Sequence, residues 1–308
     1  MTQPRRHIPG QVVHLSRRCF QRKFFLRPDS FINRVLFYET ARASKRHGQV
    51  VHGAMAMSNH IHQISTDTTG ERSAYMRDAM REISRARNQN LKRRDSMWDG
   101  RPFGDVVLLG RVKIEQQLIY TWLNPVEAGL VRRAEDWPGF KILPRHWGKT
   151  LRIKRPDTYY GRNSPEYIEF TPMPPPGYSD MSLEEVREHF EDLLRKAEDK
   201  IRKIRRNKKV RGAVRVCRTD PFSCPKTPSL MGTLSPRFAS ADSELLSRAK
   251  ELHQQFQDNY QRQRMKWMRG KRALFPCGTV QLRRCAPIRC KPPDDNEPGI
   301  FELKRSLG

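Results

Sequence analysis

Residues 49–66, QVVHGAMAMSNHIHQIST, hold two apolar-rich runs separated by the small polar pair Ser58–Asn59. The pattern predicts a hairpin: a strand over 49–57, a tight turn, and a second strand over 60–66. Upstream, Phe31, Val35, Leu36 and Ala41 recur at helical spacing, with starting signals at Pro28, Asp29 and Ser30 and a stop at Gly48. Before that helix, QVVHLSRRCF (11–20) alternates as a strand does.

Downstream, residues 71–93 predict an amphipathic helix. Tyr75, Met76, Ala79, Met80, Ile83 and Ala86 share one side, while Arg77, Arg81, Arg85 and Lys92 share the other. DVVLLG (105–110) reads as a short buried strand after the turn Gly100–Arg101–Pro102. A third helix is expected from about Val112 to Leu123, breaking at Asn124–Pro125 because proline disfavours a helical residue before it. The order β-α-β-β-α-β-α predicts an α+β fold of ferredoxin-like topology, an antiparallel sheet with helices on one face and a helix appended.

The chain has 308 residues, with 60 Lys and Arg against 33 Asp and Glu, a formal charge of +27. An excess of that size calls for a polyanionic partner, of which nucleic acid is the commonest. Residues 1–150 hold 27 basic and 13 acidic residues, and residues 201–308 hold 25 and 9; between them, 151–200 hold 8 and 11. The positive field thus has two sources. No apolar run is long enough to span a membrane, and the charged N-terminus MTQPRRHIPG lacks the apolar core of a signal peptide, so a cytoplasmic protein is expected. Six cysteines without a C-x-x-C pair match no common zinc module, and reduced thiols are expected.

Beyond residue 150 the character changes, and the expected division is a first domain (1–150), a Pro-rich linker (151–180) and a basic helical extension (181–308). TPMPPPGY (171–178) reads as a stiff linker. Ser182 and Glu185 form a capping box opening a long helix that ends in KIRKIRRNKK (200–209). Residues 217–240 read as loop, a last helix spans roughly 242–269, and the Pro-, Cys- and Arg-rich final forty residues carry the signature of disorder.

His60 and His62 flank Ile61 on the expected strand. Alternation turns both imidazoles to one face, about 7 Å apart at Cα, a spacing that suits one divalent cation. A lone H-x-H among nine histidines is weak support, so context decides. On the third helix, Lys113, Gln116, Gln117, Tyr120, Thr121 and Asn124 fall on one arc, and Val112, Leu118, Ile119, Trp122 and Leu123 fill the other. Tyr120 and Asn124 therefore project together from a polar face, where a merely packed tyrosine is less expected.

Four blocks, VVHLSRRCFQRKFFL, AMAMSNHIHQIS, MWDGRPFGDVVLL and YTWLNPVEAGLV, resemble the REP-associated tyrosine transposases, a branch of the single-tyrosine HUH transposases. They cover about residues 11–135 in that family's order and spacing. The resemblance implies that His60 and His62 are metal ligands, that Tyr120 is the nucleophile, and that Asn124 stands where relatives place a polar third ligand. It implies Mg²⁺ or Mn²⁺ as cofactor. It further implies cleavage and strand transfer of single-stranded or hairpin DNA, formed from repeated palindromes, through a 5′-phosphotyrosine. A helix attached by short connections can swing or swap between subunits, so a monomer or a homodimer is open, with Tyr120 serving its own site or a partner's.

Two surfaces are candidates for DNA. Arg77, Arg81 and Arg85 are spaced to track a phosphate backbone, unless they simply form a solvated face. Arg17, Arg18, Arg22 and Lys23 lie beside Phe20 and Phe24, the mix of charge and stacking rings that single strands favour. A domesticated, non-catalytic DNA-binding protein of the same fold is the alternative, and intact His60, His62 and Tyr120 argue against it. An RNA-binding sheet would need aromatics that 49–66 lacks.

Overall fold

The computed structural model describes residues 4–161, 163–206, 208–227 and 236–292. Along its first half run β1 (Gln11–Arg18), α1 (Ser30–His47), β2 (Gln49–Met57), β3 (His60–Asp67), α2 (Arg72–Asn90), β4 (Gly104–Leu109), α3 (Arg111–Glu127) and β5 (Lys141–Ile142). Then follow β6 (Leu151–Lys154), β7 (Tyr167–Phe170), α4 (Leu183–Ile204) and α5 (Ala213–Cys217). The last elements are β8 (Phe238–Ser240), α6 (Ser243–Met268), β9 (Leu274–Phe275), α7 (Val280–Cys285) and β10 (Arg289–Cys290).

The main sheet runs β5-β2-β3-β1-β4-β8. Its four long strands pair antiparallel, β2 with β3, β3 with β1, and β1 with β4. The expectation of a wholly antiparallel sheet is corrected at one edge, where β8 pairs parallel to β4 and makes the sheet mixed. That strand comes from the C-terminal half, which the first 150 residues could not disclose.

Local chemistry explains the boundaries. The Asp29 carboxylate accepts from the Ile32 amide at 2.8 Å and opens α1, and Gly48, at φ 58°, closes it in the left-handed conformation that glycine tolerates. The reciprocal Ser182–Glu185 bonds open α4.

Alternation along the strands sorts side chains onto two cores. Val13, Leu15, Val51, Ile61 and Val107 face α1 and α2, where Ile32, Leu36, Tyr75 and Ile83 are buried. Val12, Met55, Ile64 and Leu108 face the other way, onto Ile114, Leu118 and Trp122 of α3. The helices therefore cover both faces, not one as the element order alone suggested. The appended helix α3 closes the second face, because leaving Val12, Met55, Ile64 and Leu108 in water would forfeit roughly 1.5–3 kcal/mol for each large side chain.

Two details of β2 let α3 come close. The strand bulges between Val51 and Gly53. A Cβ on Gly53 would lie 2.5 Å from Leu118 Cδ2 and 3.1 Å from the Trp122 ring, so only glycine admits this approach.

The C-terminal half packs on this frame. Phe190 of α4 lies against Trp122 and Trp147, with ring centroids 6.1 and 5.1 Å apart. The segment expected as linker contains the antiparallel pair β6–β7, whose Ile153, Ile168 and Phe170 join the α1–α2 core. Residues 293–308, within the stretch whose composition suggested disorder, lie outside the described residues, while 274–290 carry β9, α7 and β10. All six cysteines are free thiols. No described helix is long and apolar enough to cross a membrane.

Candidate active site

The site forms where β1 and β3 meet α3 on the second sheet face. The pairing register sets Arg18 opposite His60, Ser16 opposite His62 and His14 opposite Ile64. All of these side chains belong to the alternation class that faces α3. His60 and His62 are neighbours, with ring centroids 4.9 Å apart at 82°. The Tyr120 ring meets His62 edge-on at 5.8 Å and 76°. Its hydroxyl forms no hydrogen bond among the described residues, and the residue is 44% exposed, open to a substrate.

The way α3 ends aims Asn124. The helix runs through Pro125 to Glu127 and does not break at Asn124–Pro125 as proline suggested. Pro125 has no N–H for the Thr121 carbonyl, which would be its partner one turn back. The Asn124 amide substitutes, donating to Thr121 O at 3.3 Å and to Tyr120 O at 2.8 Å. Both donor contacts use Nδ2, so the amide oxygen is left as an outward acceptor, close enough to act on His60. The arc drawn from the sequence needs two changes: Thr121 is fully buried and Val112 is 53% exposed.

The protonation of His60 follows from its neighbours. Asn59 donates Nδ2 to Arg22 O at 3.2 Å, which turns its Oδ1 to His60 Nδ1 at 2.7 Å. An oxygen acceptor there requires a proton on Nδ1, and Nε2 keeps its lone pair. Burial holds the His60 imidazole down at about 4; the Asn124 side chain, whose oxygen favours a protonated ring, opposes this and the charge of Arg18 adds to it. Burial also lowers His62 well below the ordinary histidine value, helped by the neighbouring His60 and His14. His14 lies at about 4 for the same reason. Neutral imidazoles are the ligating form. The Tyr120 phenol is shifted upward, first by burial and then by the carboxylate of Glu127.

Two neutral imidazoles and an amide oxygen are donor types that divalent cations take. Among the described residues no group of three His, Cys, Asp or Glu side chains is placed to hold one. Beside the imidazoles, His60 Nε2 and Asn124 Oδ1 are acceptors that suit a positive charge. By ligand type, imidazoles favour Mn²⁺ or later metals, and an amide oxygen suits Mg²⁺ or Mn²⁺.

The basic candidates divide between the two faces. Arg18 lies on the site's face beside His60. Arg22 and Lys23 sit in the loop after β1 that Asn59 ties to the hairpin, next to Phe20, which is 40% exposed. Arg22 also bonds the Thr227 carbonyl at 2.5 Å, and Arg17 bonds the carbonyls of Asp99, at 2.9 Å, and Arg101. Arg77, Arg81 and Arg85 stand on α2, across the sheet from the histidines. They pair there with Asp78 at 2.9 Å, Glu82 at 2.9 Å and Glu82 at 3.8 Å respectively.

Three contributors went unassigned in the sequence. Asn59 read as a turn residue, Gln117 as one more polar position on the arc, and His14 as part of a strand. The signal for His14 was its place in β1, but only the β1–β3 register brings it to His62.

No family model matches this chain, and no curated protein matches it. A solved structure described as a REP-associated tyrosine transposase bound to a REP hairpin is 18% identical to it. The match covers 55% of this chain and 98% of that one, with a TM-score of 0.39, a partial likeness of shape.

Proposed function

We propose that this chain is a single-tyrosine HUH enzyme that cuts and rejoins single-stranded or hairpin DNA through a 5′-phosphotyrosine, with Mg²⁺ or Mn²⁺ held by His60, His62 and Asn124. On this reading the four antiparallel strands with α1 and α2 are a ferredoxin-like core, and the remaining elements brace it. The observation that carries the reading is the convergence of an exposed phenol, an amide oxygen and two neutral imidazoles in one place, where a protein that only binds DNA has no use for them.

Tyr120 attacks the scissile phosphorus through its phenol oxygen. A P–O bond forms to Tyr120 as the bond to the 3′ oxygen breaks, and the strand leaves with a free 3′-OH. Attack by a 3′-OH on the phosphotyrosine reverses these steps and rejoins DNA without a nucleotide cofactor. The cation, when bound, neutralises charge building on the phosphate oxygens. Asn59 holds the His60 lone pair toward the bound group, and Arg18 adds a fixed positive charge beside it. Phe20 and the cations of the β1 loop offer stacking and phosphate contacts to the strand.

The test is incubation of the full chain with labelled single-stranded hairpin DNA and Mn²⁺. The expected product is a denaturation-resistant protein–DNA adduct that maps by mass spectrometry to Tyr120 and is absent in Tyr120→Phe. An adduct elsewhere, or cutting by Tyr120→Phe, would overturn the proposal.

A further inference from the structure

His14 is bonded on both sides of its ring. Its Nε2 lies 2.8 Å from His62 Nδ1, and its Nδ1 accepts from Gln117 Nε2 at 3.2 Å. The two imidazoles are stacked, centroids 5.0 Å apart at 26°. The NH₂ end of Gln117 faces His14, and the side chain makes no other hydrogen bond among the described residues that would hold it from turning over. Each neutral imidazole has one donor nitrogen and one acceptor nitrogen, so the chain has two self-consistent states. With Gln117 donating through its NH₂, as in the structure, His14 donates from Nε2 and His62 carries its proton on Nε2, away from His14, which is the state closed to a cation. If Gln117 turns its oxygen inward, it accepts from His14 Nδ1. His14 Nε2 then accepts from His62 Nδ1, and His62 Nε2 keeps a free lone pair.

We propose that Gln117 and His14 are positioning residues which set the tautomer of His62, and that a half-turn of the Gln117 amide converts the site between a state closed to a cation and one open to it. The proposal rests on the metal reading of His60 and His62. A ligating histidine generally has its second nitrogen engaged in this way, and loss of such a partner typically weakens metal affinity by about 10–100-fold. Here the partner is an amide–imidazole pair that accommodates either direction, where a carboxylate would dictate one. Gln117, Tyr120 and Asn124 lie at i, i+3 and i+7, so one stripe of α3 supplies the tautomer control, the nucleophile and the third ligand.

The test uses the full-length protein, first metal-free and then titrated with Mn²⁺. Long-range ¹H–¹⁵N spectra of histidine-labelled protein report which nitrogen of His62 is protonated, and Mn²⁺ binding is read by electron paramagnetic resonance. Gln117→Glu only accepts, so it should lock His62 as the Nδ1–H form and preserve or tighten Mn²⁺ binding. Gln117→Met and His14→Phe, which remove the partner while keeping bulk, should release that tautomer and weaken Mn²⁺ binding about 10–100-fold. Unchanged melting temperatures would separate this from misfolding, and Gln117→Glu should differ from Gln117→Met in the tautomer signal even without metal. If His62 keeps one tautomer and one Mn²⁺ affinity in all three variants, the relay is wrong while the metal site stands. If the wild-type protein binds no Mn²⁺, the metal reading falls, and the relay's role with it.

Discussion

The ring of Tyr120 stands edge-on to that of His62, with centroids 5.8 Å apart, although the two residues come from different elements on opposite sides of the candidate site. One is on the exposed arc of a helix, the other on a central strand. Only the packing of α3 on the sheet joins them.

That packing can be attacked without touching the site. Gly53→Ala puts a methyl 2.5 Å from Leu118 Cδ2 and 3.1 Å from the Trp122 ring, and with both packed in the core the expected relief is a shift of α3. The expected cost is about 1–3 kcal/mol, typical of overpacking. DNA cleavage should fall more than DNA affinity, since the shift moves Tyr120 against the histidines. Unfolding curves and single-turnover cleavage check this; cleavage at the wild-type rate with full stability would show that α3 has slack.

Ligand removal separates chemistry from binding. His60→Ala or His62→Ala should abolish Mn²⁺-stimulated cleavage while affinity for single-stranded DNA stays within about 2–3-fold, because phosphate contacts dominate that affinity. Filter binding beside a cleavage assay distinguishes the two. A loss of affinity as large as the loss of cleavage would make the histidines part of the DNA-contact surface.

On the proposed reading Asn124 has two duties that different substitutions divide. Asn124→Ala removes the amide that bonds Thr121 O and Tyr120 O, and should cost about 0.5–2 kcal/mol by analogy with a lost helix cap, as well as weakening Mn²⁺ binding. Asn124→Asp keeps an oxygen ligand but loses the donor, so Mn²⁺ binding should survive while stability falls. If Asn124→Ala binds Mn²⁺ as wild type does, the third ligand lies elsewhere.

Much of the frame was legible in the sequence because its signals are local. Asp29 and Gly48 mark the ends of α1, Ser182 and Glu185 start α4, and alternation places His60 and His62 together on β3. What stayed hidden depends on partners far along the chain. His14 gains meaning from residues 48 and 103 positions away. The helical continuation through Pro125 depends on what the Asn124 side chain does, which the preference of residues before proline does not encode. The parallel edge strand β8 lies some 130 residues beyond β4, and three residues of modest hydrophobicity carry no strand signal of their own. The separation of the α2 arginines from the histidines follows from which face each helix covers, a choice invisible to a helical wheel.

Acid should loosen the fold through His52. The ring is buried at 1% exposure, placed at the β2 bulge, 2.7 Å from Thr66 Oγ1 and 2.9 Å from the Met173 carbonyl that follows β7. Burial lowers it to about 4, against partial opposition from its bonds to the 173–174 backbone. The unfolded chain takes up this proton near the ordinary value of 6.5, and the folded chain resists until about 4. Stability from this group is therefore complete above 6.5 and declines as pH falls from 6.5 towards 4, by on the order of 3 kcal/mol. Urea midpoints at pH 7.5 and 4.5 should converge in His52→Gln relative to wild type. Equal losses in both proteins would assign the acid sensitivity to other buried histidines.

The last expectation concerns where the chain can be cut. The composition shift near residue 150 and the prolines at 171–178 suggested that residues 1–150 fold alone. Three indole N–H groups anchor the second core to the β2–β5 edge: Trp122 to Ile142 O at 2.7 Å, Trp137 to Ala56 O at 2.8 Å, and Trp147 to His52 O at 2.6 Å. The rings of Trp122 and Trp147 are then covered by Phe190, and Tyr178, Val186 and Leu194 complete the same cluster, all from beyond residue 150. Removing Phe190 alone withdraws roughly 1.5–3 kcal/mol of burial. A fragment ending at 150 also exposes two adjacent indoles, a patch prone to association. We therefore expect 1–150 to be aggregated or to melt without a sharp transition. A fragment ending at 227 keeps α4 and the strand of chain that bonds Phe24 through Ser223 O at 3.0 Å, and should unfold cooperatively. Circular-dichroism melts and size-exclusion chromatography of both fragments make the comparison. A monomeric, cooperatively melting 1–150 that still forms the DNA adduct would show that α4 braces a core already complete without it.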